Sequence, residues 1–416
     1  MNYRDSHSPH RIPAYRTNPW ALFDWLVIVL LCIAAIAIAT PQNDATVYQQ
    51  DYVVIGWNDL GMHCMNRTYD SLCILPPYNN LWAQVVHRGN PPELVTEGVT
   101  LSYRFPLNTE SASKINFWTY AFALFGQTLA PNVGLTDHGL SGLMEWNGGA
   151  FEVSGVPITG FEDSAPTTER PYQQAEITLK DVGDVQLDQT NIVAGVSTEM
   201  RCDTCHSEGG QTVENNILTL HDEEEDTNLM ASRPVLCARC HQSNALGTSK
   251  QPGIPSLSEA MHGKHAEETS GNNCYACHPG NQTQCLRDVM YSRGLTCTNC
   301  HGTLSNVAST IQSGRRPWLD EPKCGNCHGA NFAENPNTLY RNSKGHGGLY
   351  CAACHNSPHA ILPTIQSLDN VQSARLQGFS GTVQKCYVCH TSPPSSPGPH
   401  GISGPGASAS NWPLYE

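Results

Sequence analysis

Seven copies of Cys-x-x-Cys-His crowd the second half of this 416-residue chain. They are Cys202-Asp-Thr-Cys205-His206, Cys237-Ala-Arg-Cys240-His241, Cys274-Tyr-Ala-Cys277-His278, Cys297-Thr-Asn-Cys300-His301, Cys324-Gly-Asn-Cys327-His328, Cys351-Ala-Ala-Cys354-His355 and Cys386-Tyr-Val-Cys389-His390. Two thiols at this spacing can reach the two vinyl groups on one edge of a haem and form thioethers. The next residue then lies under the iron, where an imidazole nitrogen can bind axially. A zinc site needs no His at that fixed place and usually pairs two such half-sites. The pattern therefore points to seven covalent c-type haems, with the fourteen motif Cys as attachment points and the seven motif His as proximal ligands. No other metal is called for.

The opposite face of each iron decides between a wire and an enzyme. Outside the motifs, His221, His262, His265, His346, His359 and His400 lie within the motif-bearing region. Six candidates for seven irons leave one distal ligand to come from elsewhere. His63, in the glycine-flanked run Gly56-Trp-Asn-Asp-Leu-Gly-Met-His-Cys64, is the first choice, His138 the second and His87 the third. His262 and His265 are close enough in sequence to serve haems on opposite sides of one short segment. Met230, Met261 and Met290 compete in principle, but the near-match between available and required His favours bis-His ligation, which keeps potentials lower than His/Met. No motif ends in Lys, the variant that marks the catalytic haem of some multihaem nitrite reductases.

The motifs use fourteen of eighteen Cys, leaving Cys32, Cys64, Cys73 and Cys285. Cys64 and Cys73 are nine residues apart and, in an oxidising compartment, are candidates for a disulfide. Cys285 has no assigned role and is an alternative partner for either. The net charge of −14 excludes a nucleic-acid partner, which needs a basic face. Haem propionates would add to it, so cationic partners or redox proteins approaching haem edges fit better. The acidic run Asp222–Asp226 reads as a solvated loop rather than a calcium site.

Along the chain, residues 1–40 hold a basic polar leader and the apolar run 20–40, which satisfies the templates of both a signal peptide and a membrane anchor. The positive flank leaves the remainder outside the cytoplasmic membrane, where covalent haem is attached. Residues 41–200 carry no motif. Runs such as 51–58, 80–88, 97–106, 149–159 and 174–180, rich in β-branched and aromatic residues and bounded by turn formers, predict a β-rich domain of sandwich or barrel type. Residues 113–125 fit either helix or buried strand. Residues 201–401 predict a loop-rich, mostly short-helical heptahaem domain, with the porphyrins supplying much of the apolar core. Motif starts lie 35, 37, 23, 27, 27 and 35 residues apart, which excludes a strict solenoid. Residues 402–416 form an irregular tail rich in Pro, Ser and Gly.

The second half resembles the multihaem c-type cytochromes of anaerobic respiratory bacteria and archaea, especially metal reducers. Gly56-Trp-Asn-Asp-Leu-Gly-Met-His-Cys64 and Glu199-Met-Arg-Cys202-Asp-Thr-Cys205-His206 are similar to segments of exported members of that group. The resemblance implies electron transport across the periplasm or to extracellular acceptors, redox proteins as partners, and possible assembly into filaments in which a neighbouring subunit supplies a distal His. The competing expectation is a multihaem oxidoreductase acting on a small nitrogen or sulfur oxyanion at one five-coordinate haem.

Overall fold

The run Tyr52–Trp57 is apolar at nearly every position, so it cannot be a strand with one wet face. In the computed structural model it is β1, and both of its faces are buried. The structure describes residues 48, 50–207, 209–268, 273–392, 394 and 398–401; the apolar run 20–40 and the Pro/Ser/Gly-rich tail lie outside the described residues. Among the described residues no helix is long and apolar enough to cross a membrane.

The strands are β1 (Tyr52–Trp57), β2 (His63–Cys64), β3 (Leu72–Cys73), β4 (Leu81–His87), β5 (Glu93–Val95), β6 (Val99–Arg104), β7 (Ser141–Trp146), β8 (Phe151–Val153), β9 (Tyr172–Asp181), β10 (Gln186–Ser197) and β11 (Val235–Leu236). The main sheet runs β1-β4-β8-β7-β6-β9-β10-β2, with β5 added to β4. It curls into a half-barrel, the β-rich fold expected from sequence. Val54 on β1, with Leu101, Tyr103, Phe105, Phe117, Ile158 and Ile177, fills its interior. Val53, Ile55 and Trp57 point the other way, into a second core shared with Tyr350, Ala352, Ala353, Leu376 and Val388 of the motif-bearing half. The described residues from 48 to 401 fall in one compact unit.

Among the described residues five helices exceed six residues: α1 (Phe117–Phe125), α2 (Val213–Glu225), α3 (Leu257–Glu268), α4 (Leu304–Gln312) and α5 (Val371–Gln377). The ambiguous run 113–125 is resolved as α1, which ends where Gly126 takes a left-handed φ of 72°. β10, the longest strand, is built from a sequence rich in Asp, Gln, Thr and Asn. Its pairing with β9 along nearly its whole length supplies what local composition does not.

The edge of β1 that faces β10 is stitched by side chains rather than a backbone ladder. Val54 N donates to Asp188 Oδ2 at 2.7 Å, and Gly56 N donates to Gln372 Oε1 at 2.8 Å. Gln372 Nε2 returns a bond to Gly56 O, and Thr190 on β10 donates to the same Gln372 oxygen. Arg375 bonds Asp188 as well. Gln372 and Arg375 come from α5, so a helix late in the chain covers a strand edge that would otherwise be left with open donors and acceptors.

Candidate functional site: paired imidazoles at the motif turns

Every motif forms a single helical turn, 3₁₀ at Cys202, Cys237, Cys274 and Cys386 and α at Cys297, Cys324 and Cys351. His206, His241, His278, His328 and His390 each donate their backbone N–H to the carbonyl of the first Cys in the motif, at 2.8–3.1 Å. One turn brings positions i, i+3 and i+4 onto the same side, so both thiols and the imidazole face one way. That is the arrangement a covalent haem requires.

Six of the seven motif imidazoles face a second imidazole from elsewhere in the chain. The ring centroids lie 6.3 Å apart for His206–His265, 6.3 Å for His241–His221 and 6.2 Å for His278–His262. They lie 6.1 Å apart for His301–His359, 6.0 Å for His390–His346 and 6.0 Å for His355–His400. These distances fit an iron held between two nitrogens at about 2 Å each, which sets two imidazole centroids about 6 Å apart.

The hydrogen bonds support the same use. Nδ1 is tethered in His206 (Asn216 Oδ1, 3.2 Å), His241 (Pro255 O, 3.0 Å), His221 (Thr227 Oγ1, 3.0 Å), His262 (Ser258 O, 2.8 Å), His265 (Met261 O, 2.7 Å) and His400 (Asn331 O, 3.1 Å). A tethered Nδ1 fixes the ring and turns Nε2 toward a metal. For His262 and His265 the acceptors are helix carbonyls four residues back, because both sit on α3. That one helix faces the first and the third motif, as the spacing of the two His suggested. Burial holds the His359 imidazole down to about 4, with the His301, Arg287 and His278 charges adding to the effect, so it stands neutral and able to ligate.

The motif turns are close neighbours. Burial is the main reason the thiols of Cys202, Cys237, Cys297, Cys300, Cys324 and Cys389 lie above the usual range, and a thiol of a neighbouring turn pushes each further. Cys237 feels Cys202, Cys202 feels Cys277, and Cys297 hydrogen-bonds Cys274. Cys300 feels Cys327, Cys324 feels Cys351, and Cys389 feels Cys354. The turns therefore follow one another in the order second, first, third, fourth, fifth, sixth, seventh.

Several buried polar links fix this row to the half-barrel. The Glu199 carboxylate at the end of β10 accepts the backbone N–H groups of Gly280, Asn281, Gln282 and Thr283, just after the third motif. Arg287 makes a bidentate pair with Asp369 at 2.6 and 3.0 Å and donates to Gly61 O, with both charged side chains 1% exposed. The Arg287 backbone N–H donates to His359 O. Gly89 bonds Cys389 O and Thr391 N, docking the seventh motif on the turn after β4. Sequence reasoning did not find these links, because a lone Glu or Arg carries no local signal.

Two expected roles, a distal ligand at His63 and a bridge between Cys64 and Cys73, are not formed in this geometry. His63 does not face a motif imidazole. It is buried, its Nε2 lies 2.8 Å from Pro76 O, and its ring packs beside Tyr78, so the nitrogen that would ligate is already engaged. Cys64 and Cys73 are both free thiols. Cys64 on β2 is tied to β10 and Cys73 on β3 to β11, in separate sheets, and Cys64 has Cys285 rather than Cys73 as its thiol neighbour. Cys285 Sγ lies 3.9 Å from His359 Nδ1, which gives this Cys a place beside a paired imidazole.

Among known proteins, the family model described as cytochrome c7 and related cytochrome c matches residues 316–391, a stretch holding the motifs that begin at Cys324, Cys351 and Cys386. No curated protein and no solved structure matches the chain. With the motif turns and the imidazoles paired across them, the match supports a multihaem c-type cytochrome that carries electrons on covalently bound haems.

Proposed function

We propose that this chain is an exported heptahaem electron conduit, with all seven motifs loaded and six irons held between the imidazole pairs described above. The single observation that carries the reading is the set of six centroid spacings of 6.0–6.3 Å, each joining a motif His to a His outside the motifs. Bound haem supplies a one-electron couple; the chain supplies two fixed axial donors, an apolar surround and close neighbours. The order of the motif turns makes the second and seventh sites the two ends of the row. Electrons would enter at one end and leave at the other, to redox proteins or an extracellular acceptor. Export is favoured by the apolar run 20–40 and by the site of haem attachment outside the cytoplasmic membrane.

The test is an intact mass and a pyridine haemochrome count on purified holoprotein, followed by low-temperature EPR of the oxidised form. Seven haems with at least six low-spin irons are expected. Fewer than seven haems, or several high-spin irons, would overturn the conduit.

A further inference from the structure

The paired imidazoles differ in what holds their other nitrogen. The six Nδ1 tethers described above, and that of His355 to Thr382 Oγ1 at 3.3 Å, all end on oxygen. The Nδ1 of His359 meets a sulfur instead, Cys285 Sγ at 3.9 Å. With Nε2 given to an iron, Nδ1 carries the proton, so the imidazole donates and the thiol sulfur accepts. His301, the motif His that His359 faces, has no side-chain hydrogen bond among the described residues. The sulfur is therefore the one such tether of the fourth site.

Two chain segments hold this contact in place. Arg287 N donates to His359 O at 2.9 Å, Val289 N to Ile361 O at 3.0 Å and Ile365 N to Arg287 O at 2.9 Å, so 285–289 lies against 359–365. Arg287 Nη1 donates to Cys285 O at 3.2 Å, and the same guanidinium is locked by Asp369. His359 has a φ of 64°, a left-handed conformation that a residue other than glycine keeps only where its surroundings impose it. The ring is thus set between Cys285 and His301 by a frame fixed on both segments.

An acceptor on Nδ1–H raises the basicity of the ligating nitrogen and so favours the ferric iron. Sulfur accepts more weakly than oxygen. We propose that Cys285 is a positioning residue for the His359 ligand, and that its sulfur holds the potential of the fourth haem above the value an oxygen acceptor would give. The proposal rests on the ligation reading above. The fourth turn is the middle of the row, with three turns on either side, so the sulfur favours residence of an electron at the centre rather than at the ends.

The experiment is a redox titration followed by EPR on the wild-type holoprotein and on His359→Ala, Cys285→Ala and Cys285→Asn, each confirmed to hold seven haems and native far-UV circular dichroism. His359→Ala identifies the fourth haem as the low-spin signal that it removes. Asn offers a carbonyl oxygen that extends further from the backbone than Sγ and can close on Nδ1; Ala offers no acceptor. The midpoint of the identified signal should fall in Cys285→Asn and rise in Cys285→Ala. Each change should be about threefold to tenfold in the ferric–ferrous balance, as one hydrogen bond would give; tenfold is about 59 mV for a one-electron couple. The other low-spin signals should keep their midpoints, and neither Cys285 variant should gain a high-spin iron.

Midpoints that move the same way in both variants, or by less than about twofold in either, overturn the proposal, because Cys285 then only fills space. A comparable shift of several signals at once does the same. Loss of haem or of native circular dichroism in Cys285→Asn leaves Cys285→Ala to decide, by a rise or the lack of one. A His359→Ala protein that keeps every wild-type low-spin signal, or a wild type with fewer than seven haems, instead defeats the ligation reading and the proposal with it.

Discussion

Replacing Arg287 with Leu should be the most damaging single change away from the motifs. The guanidinium and the Asp369 carboxylate are each 1% exposed and joined by two hydrogen bonds, and Arg287 also satisfies Gly61 O and Cys285 O. Leu fills much of the volume but strands a buried carboxylate whose remaining side-chain partner is the Thr364 hydroxyl. Breaking a buried pair by removing one member costs about 3–5 kcal/mol, more than a hundredfold in the folding equilibrium. That is a large part of the roughly 5–15 kcal/mol that holds a typical domain together. Guanidinium unfolding of the holoprotein, followed by far-UV circular dichroism, reads the loss directly. Replacing Asp369 with Leu as well should recover all but about 1–2 kcal/mol, because no stranded charge remains. The reasoning fails if Arg287→Leu costs under about 1 kcal/mol, or if the double variant is no more stable than the single one.

Other expectations concern ligation and the links that position it. His265→Ala should convert the first site to high-spin and add one carbon monoxide per chain, measured by EPR of the oxidised form and carbon monoxide titration of the reduced form. Glu199→Ala leaves four backbone N–H groups without their acceptor and should cost about 3 kcal/mol, with a spectral change at the third site, measured by denaturation and resonance Raman. For Asp163, burial pulls the carboxyl up, but the bonds from Lys114 and Thr109 together outweigh it and bring it down to about 2. Its folded value is thus below its unfolded one, so its contribution is full above about pH 4 and is lost as pH falls toward 2; Asp163→Asn should remove that part of the acid limb of a stability profile. Alkylation of the denatured, unreduced protein should label Cys64, Cys73 and Cys285 alike, and a Cys64–Cys73 bridge in the peptide map would contradict the two-sheet placement.

The motifs, the six His whose rings face motif imidazoles and the strands near 52, 81, 99, 151 and 172 stand on patterns that a sequence carries locally: a fixed pentapeptide, an excess of one residue type, an apolar run between turn formers. Which His meets which motif was not legible there, since His359 follows the sixth motif in sequence but faces the fourth in space. β10 was missed because its Asp188, Gln189, Thr190 and Asn191 look like a loop until β9 pairs with them. His63 shows the opposite case. A glycine-flanked His looks free to approach a haem, yet the chain folds Pro76 and Tyr78 over it.

The seam between β1 and β10 also sets a timetable. Its lining residues Gln372 and Arg375 follow six of the seven motifs in the chain. A polypeptide emerging from its N-terminus therefore presents six Cys-x-x-Cys-His turns before the half-barrel can be sealed. The order of synthesis leaves the turns open to the machinery that attaches haem, and the last edge of the sheet closes over β1 only when nearly all of the cofactors could already be in place.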